Sequence, residues 1–212
     1  FTAAAIGILV DEGRLDWKDR VIDHLPWFRL HDPYVTQEMR IEDLLCHRSG
    51  LGTFDGDLLW YGTNYSSKEV VSRIRHLPLD HGMRTTFGYQ NIMYITAGEV
   101  IEAVSGFAWA EFVEDRLLKP LGMTHTTTHT KDLKGELAAD HALPYINQEL
   151  FPDLDYSNAA ATGGLNSSAA DLMHWIQMWL NEGVYEGDTI LSPATYQKLI
   201  TPLTLLSPGY LE

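Results

Sequence analysis

Cysteine is nearly absent, with Cys46 the only one among 212 residues. One thiol closes no internal disulfide and builds no thiolate metal cluster, and it leaves the redox compartment open. Long hydrophobic runs are missing as well: no stretch reaches the roughly 18 apolar residues that a membrane-spanning helix needs. The apolar opening from Phe1 to Val10 lacks the basic flank of a signal peptide and runs straight into Asp11-Glu12-Gly13. Positive charge is scarce, since 15 Lys and Arg face 29 Asp and Glu, for a net charge of −14 and a pI of about 4.9. Such a chain repels phosphate backbones and anionic lipid, which argues against a nucleic-acid partner. The acidic residues are dispersed, and there is no internal repeat, low-complexity tract or domain linker.

What is present is a core-forming composition. Hydrophobic residues make up 45% and aromatics 11%, including six Trp and ten Tyr. That fits one domain, or part of one, rather than disorder. Amphipathic helices with marked ends dominate. The first runs from about Phe1 to Glu12 and stops at Gly13. Leu15 to Leu25 reads as irregular and closes at Pro26, and another helix is expected near Ile41 to His47. Ser66-x-x-Glu69 is a capping box that opens a helix with Val70, Val71 and Ile74 inward. Asn91 to Ser105 ends at Gly106, and Ala108 to Leu118 is stopped by Pro120. Ser168-x-x-Asp171 caps a helix with Leu172, Trp175, Ile176 and Trp179 expected inward, and Ser192-Pro193 opens the last. Extended pieces are expected only at Thr124 to Thr130 and His141 to Ile146. The long loops at Gly50–Ser66, Leu77–Tyr89 and Thr124–Gly164 are of the kind that carries function. Natural domain starts are polar and frayed, so an apolar helix opening on Phe1 reads as the middle of a domain.

Six segments, in order, resemble the β-lactamase-like serine hydrolases, a family of class C β-lactamases, DD-peptidases, esterases and D-amino-acid peptidases. They are Phe1 to Leu15, Val21 to Pro26, Leu44-Leu45-Cys46-His47-Arg48-Ser49-Gly50-Leu51, the Tyr-x-Asn element within Phe87-Gly88-Tyr89-Gln90-Asn91, Pro120 to Thr126, and Thr162 to Leu172. Tyr-x-Asn alone carries little weight; the ordered set carries much. The family's Ser-x-x-Lys would stand two residues ahead of the position matching Phe1, and its Lys-Thr-Gly or His-x-Gly beyond that matching Glu212. Neither occurs in this chain, and His81-Gly82 stands where the family has Pro-Gly. The resemblance therefore implies a mainly α chain, the helical portion of an α+β β-lactamase/transpeptidase-like fold. It would be incomplete at both ends, with the central antiparallel sheet largely outside the segment.

The resemblance implies acyl-enzyme chemistry on a small-molecule amide or ester, with no cofactor. Tyr89 would be the general base of the serine, its phenol made acidic by a lysine from the missing motif. Asn91 would hold the substrate amide oxygen. Periplasmic or secreted location is compatible with the family. Apolar surface left bare would call for a complementing chain segment or a homo-oligomer. Rival readings stand beside these: Tyr89 as a structural tyrosine bonded to backbone, Asn91 as the N-cap of the next helix, and a catalytically inactive ligand- or protein-binding module of the same fold. A helical interaction protein with a basic partner is a third. His47-Arg48-Ser49-Gly50 reads as a structural turn with His47 packed in the loop, and Gly163-Gly164 as a tight backbone turn. His125-x-x-x-His129 has metal-pair spacing, but the intervening threonines favour extended chain, which separates the two rings.

Overall fold

The computed structural model describes residues 1–133, 135, 137, 141–152 and 154–206. Two helices organise it. The first, α1 (Thr2–Asp11), buries Thr2, Ala4, Ala5, Ile6, Ile8 and Leu9, and so is apolar on nearly every side. A helix of that kind must lie inside a core. Short helices follow at α2 (Val21–His24), α3 (Pro33–Glu38) and α4 (Ile41–Leu44). The expected helix from Ile41 to His47 is cut short because the chain turns into left-handed backbone at His47, φ 54°. The irregular stretch before Pro26 contains α2 at its end. Helix α5 (Ser67–Arg73) opens on Ser66, whose hydroxyl accepts the Glu69 N–H at 3.2 Å, with Val70, Val71 and Ile74 fully buried.

The second organising helix is α6 (Asn91–Ser105), which packs on α1 and α5 and is closed by Gly106. Ile92, Met93, Ile95, Ala97, Val100 and Ile101 are buried along it, each worth about 1–3 kcal/mol of transfer free energy. The following helix α7 (Trp109–Val113) widens into a π-helical stretch at Glu114–Leu118 instead of continuing as α-helix to Leu118. A short α8 (Ala160–Gly163) crosses α6 at Gly98, where a Cβ would stand 2.7 Å from that of Ala161. The missing side chain is what lets the two helices approach.

Helix α9 (Ala169–Leu180) is capped as expected, the Ser168 hydroxyl accepting the Asp171 N–H at 3.1 Å. Its packing is not as expected. Asp171 and Met178 are the buried residues, while Leu172, Met173, Ile176 and Leu180 are 38%, 62%, 45% and 78% exposed. Trp175 lies flat on Phe1 with centroids 3.9 Å apart, and Trp179 leans on Tyr196. The helix carries more apolar surface than the described residues cover. The last helix, α10 (Pro193–Ile200), seats its N-terminus on α1, where the Asp11 carboxylate accepts from Ser192 N at 2.8 Å and Thr195 Oγ1 at 2.6 Å. An acid at that end also complements the helix dipole.

Among the described residues the strands form only two hairpins, β1 (Tyr145–Ile146) with β2 (Glu149–Leu150) and β3 (Val184–Tyr185) with β4 (Asp188–Thr189). Both turn through two residues of positive φ, Asn147-Gln148 and Glu186-Gly187, the geometry that suits strand twist. The extended piece at Thr124 to Thr130 is a single bridge, Thr127 to Asn166. Its Thr127 end lies one residue past the segment from Pro120 to Thr126, and the buried Asp171 carboxylate fastens that segment to the one from Thr162 to Leu172 by accepting from His125 N and Thr126 Oγ1 at 2.8 and 2.7 Å. No helix among the described residues is long and apolar enough to cross a membrane.

Gly98→Leu should lower unfolding free energy by about 1–3 kcal/mol, the usual cost of overfilling a close-packed contact. Denaturant titration reads this directly, and an unchanged midpoint would mean that α6 and α8 do not depend on their close approach.

Candidate active site

Two of the long loops meet at the head of α6. Backbone bonds lace the turn after α4 to the loop before Tyr89: Asp80 and His81 N–H donate to Gly50 O, Arg84 N–H to Arg48 O, and Gly88 N–H to His47 O, all at 2.8–3.0 Å. The Gly50–Ser66 loop then closes over the other side. Phe54 N–H donates to Tyr89 O at 2.9 Å, Tyr89 N–H to Thr53 Oγ1 at 3.2 Å, and the Gln90 side-chain amide to Gly52 O. The backbone of Tyr89 is thus held on both edges, while its side chain stays half-exposed.

His47 sets the ring. It stacks on Tyr89 with centroids 4.5 Å apart at 29°, and lies 5.4 Å from the Tyr94 ring. Its Nδ1 accepts the Gln90 N–H at 3.0 Å, which requires a neutral imidazole protonated on Nε2. Burial lowers its pKa from the ordinary 6.5, in keeping with that state. The expected loop-packing role holds, but the loop that His47 packs is the one bearing Tyr89. Tyr94, one turn further along α6, is a contrasting tyrosine: its hydroxyl donates to Leu45 O at 3.0 Å, and burial pushes its pKa up to about 12. It is a fixed donor.

Asn91 is the first residue of α6, and Gln90 occupies the cap position. The N-cap alternative for Asn91 therefore fails; its side chain points elsewhere. Nδ2 donates to Asp57 Oδ2 at 2.8 Å, and Oδ1 accepts from Thr162 Oγ1 at 3.0 Å. A carboxylate can only accept, so Asp57 fixes which end of the amide faces it. Asp57 is itself oriented by the Trp60 indole N–H, 3.0 Å from Oδ1. On the far side, Thr162 belongs to α8, and the preceding Ala161 carbonyl accepts from Thr2 Oγ1 at 2.5 Å. The start of α1 thereby reaches the Asn91 site. Phe1, Tyr94, Thr162 and Gly163 line a cavity of about 210 Å³ beside that junction, and neither Tyr89 nor Asn91 is part of its lining. Gly163 and Gly164 have negative φ, so a tight left-handed turn is not their purpose. A Cβ on Gly164 would strike Thr128 O at 2.8 Å, whereas Gly163 faces open space.

Under the loops lies a buried acid that the sequence did not single out. Asp43 is fully buried in α4. Its carboxylate takes Arg84 Nη2 at 2.7 Å and Nε at 3.0 Å, Arg48 Nε at 2.8 Å, and Arg40 N–H at 3.0 Å. Arg84 adopts φ 65°, rare for a residue with a Cβ, and Asp43 raises its pKa further through this bonding. Neither charge was conspicuous, because an acid beside Glu42 in an acidic chain looks like surface. Cys46 donates its thiol to Glu42 O, and burial raises its pKa, away from nucleophilic thiolate. Of the two threonine-flanked histidines, His125 is largely exposed beside Asp171. No group of three His, Cys, Asp or Glu among the described residues is placed to hold a metal ion.

The helical arrangement is that of the β-lactamase/transpeptidase-like fold, as the comparisons with known proteins show. A Beta-lactamase family model matches residues 1–207, and the chain belongs to that family. Its relatives include the unguisins hydrolase of Aspergillus violaceofuscus, 31% identical over 85% of this chain and 35% of that protein. A penicillin-binding protein of Bacillus subtilis is 27% identical over 97% of this chain and 47% of that protein. Among solved structures, the octameric penicillin-binding protein homologue from Pyrococcus abyssi aligns with a TM-score of 0.77 and 26% identity, over 94% of this chain and 46% of that one. The D-stereospecific amidohydrolase from Streptomyces sp. gives 0.75 and 26%, over 99% of this chain and 64% of that one. The chain spans less than half the length of the curated relatives it matches.

Two outcomes follow from the clamp. Because folding lowers the His47 pKa, the unfolded chain takes up the proton first on acidification. The contribution of His47 to stability is complete above pH 6.5 and is lost as pH falls through the folded value. Denaturation midpoints at pH 7.5 and 5 should differ more in the native chain than in His47→Asn; equal differences would remove His47 from the linkage. Asp43→Asn leaves two guanidinium groups short of their counter-charge and should cost about 3–5 kcal/mol in the same measurement. A loss below about 1 kcal/mol would mark the cluster as an ordinary surface pair.

Proposed function

We propose that this chain is the helix-rich part of one serine hydrolase domain, incomplete at both ends, that cleaves amide or ester bonds through an acyl-enzyme. The nucleophile, in Ser-x-x-Lys, precedes Phe1, and the central antiparallel sheet comes from chain outside these residues. Tyr89 accepts the proton of the attacking serine hydroxyl, its phenol acidified by the lysine ammonium of that motif. Asn91 donates from Nδ2 to the substrate amide oxygen and fixes its pose.

One observation carries this reading. The first turn of α1 and the Asn91 side chain are joined through Ala161 and Thr162, by Thr2 Oγ1 to Ala161 O and Thr162 Oγ1 to Asn91 Oδ1. A helix rises about 1.5 Å per residue, so residues one turn ahead of Phe1 would stand within a few ångströms of that junction. The half-exposed Tyr89 beside Asn91 supports the same reading, and so do the hydrolase and amidohydrolase among the similar proteins. The bare face of α9, with Met173 and Leu180 largely exposed, fits a sheet supplied by the remaining chain. Candidate substrates are β-lactams, D-amino-acid peptides and small acyl esters. The octameric homologue makes self-association a reasonable expectation.

In the full-length protein, Tyr89→Phe should lower kcat by about 10²–10⁴, the usual worth of a general base, and slow labelling by a fluorophosphonate. Turnover that survives the substitution intact would take Tyr89 out of the mechanism.

A further inference from the structure

The Gly50–Ser66 loop brings a carboxylate against the residue assigned to hold the substrate. Asp57 Oδ2 is 2.8 Å from Asn91 Nδ2, so a group bonded to the second N–H of that amide would lie about 5 Å from a negative charge. Among the described residues no cation neutralises the charge. The cations of the adjoining turn, Arg48 and Arg84, are committed to Asp43 and Glu42, and among the described residues Asp57 forms no ion pair. Its orientation is fixed, because the Trp60 indole N–H holds Oδ1 at 3.0 Å. A carboxylate has about four acceptor positions, and two are used here. The Trp60 ring packs edge-to-face on Tyr61 and Tyr156, with centroids 5.9 and 5.7 Å away, and the Asn158 amide anchors Trp60 O at 3.1 Å. Phe54 and Leu58 on the same loop are 58% and 83% exposed, an apolar rim to the acidic spot. A fixed, unpaired carboxylate bordered by aromatic and apolar side chains is built to receive an ammonium group on an otherwise apolar body.

We infer that Asp57 determines specificity by selecting substrates whose acyl half carries a free, protonated amine next to the scissile carbonyl, over their N-acylated counterparts. The ammonium donates to the free positions of the Asp57 carboxylate while Asn91 engages the neighbouring amide oxygen. This rests on the assignment of Asn91 to the substrate.

Binding tests it without turnover. The isotope-labelled full-length protein is titrated with alaninamide and with N-acetylalaninamide while the Trp60 indole and Asn91 side-chain amide resonances are followed. Alaninamide should shift both signals and the acetylated compound neither. Asp57→Asn should weaken the alaninamide response at least tenfold, and Asp57→Glu, which keeps the charge, should retain the preference for the amine. Equal responses to the two ligands, no response to either, or an alaninamide response unchanged in Asp57→Asn would overturn the assignment. If Tyr89→Phe leaves turnover intact while binding still discriminates the amine, Tyr89 loses its place as the base and this inference stands. Charge-blind binding with a damaging Tyr89→Phe has the opposite meaning.

Discussion

The buried carboxylate of Asp43 is the constraint on which the site depends. Taking a charge out of water costs several kcal/mol, and the cost is offset only when the partners satisfy the group. Here two guanidinium groups and a backbone N–H do so, and each comes from a different place: Arg84 from the loop before Tyr89, Arg48 from the turn after α4, and Arg40 from the start of α4. One anion thus fixes the relative position of three segments that have little secondary structure of their own. The exposed pairs elsewhere, such as Arg73 with Glu69 and Lys119 with Asp115, each span one helical turn at the surface, where solvent screens them. They could be lost without moving the loops.

From that anchor the order is transmitted by contact. The Arg48 carbonyl receives Arg84, the His47 carbonyl receives Gly88, and the His47 ring receives both Gln90 N–H and the face of Tyr89. Two tyrosines beside one histidine then acquire different characters from their surroundings alone. Tyr94 is sealed, bonded to Leu45 O and held protonated, whereas Tyr89 is left half-open at the surface of the clamp. A basic role for Tyr89 needs a cation, and the two arginines of the clamp are already spent on Asp43. On the proposed reading the ammonium therefore has to come from the chain ahead of α1, which is where the family resemblance puts it.

Much of the helical fold was legible because its signals are local. Ser66, Ser168 and Ser192 cap where the sequence says, since a hydroxyl and a free N–H three residues on are enough to define a helix start. The packing of α9 was not legible. Its apolar stripe is real, but which side of it is covered depends on elements that no local pattern encodes, and Leu172 and Ile176 face outward. The site was half legible. Tyr89 and Asn91 stand out only through the ordered segments around them; of what orients them, Asp43 and Asp57 have no sequence mark, and Thr162 opens one of the six segments without being singled out. Their partners lie up to 71 residues away, and their burial or exposure is decided by the fold.

Asp43 and Asp57 make the electrostatic point sharper than the net charge of −14 does. Both are aspartates with fixed carboxylates close to the Tyr89 loop. The first is enclosed and matched by two guanidinium groups, so its field is spent inside the protein and serves geometry. The second is half-exposed, held by an indole and an amide that carry no formal charge, so its field remains at the surface of the site. Neutral donors fix a carboxylate in place without cancelling it, and only such a group can go on to choose among ligands by their charge. The separation of roles, one acid for shape and one for selection, follows from their partners rather than from their chemistry.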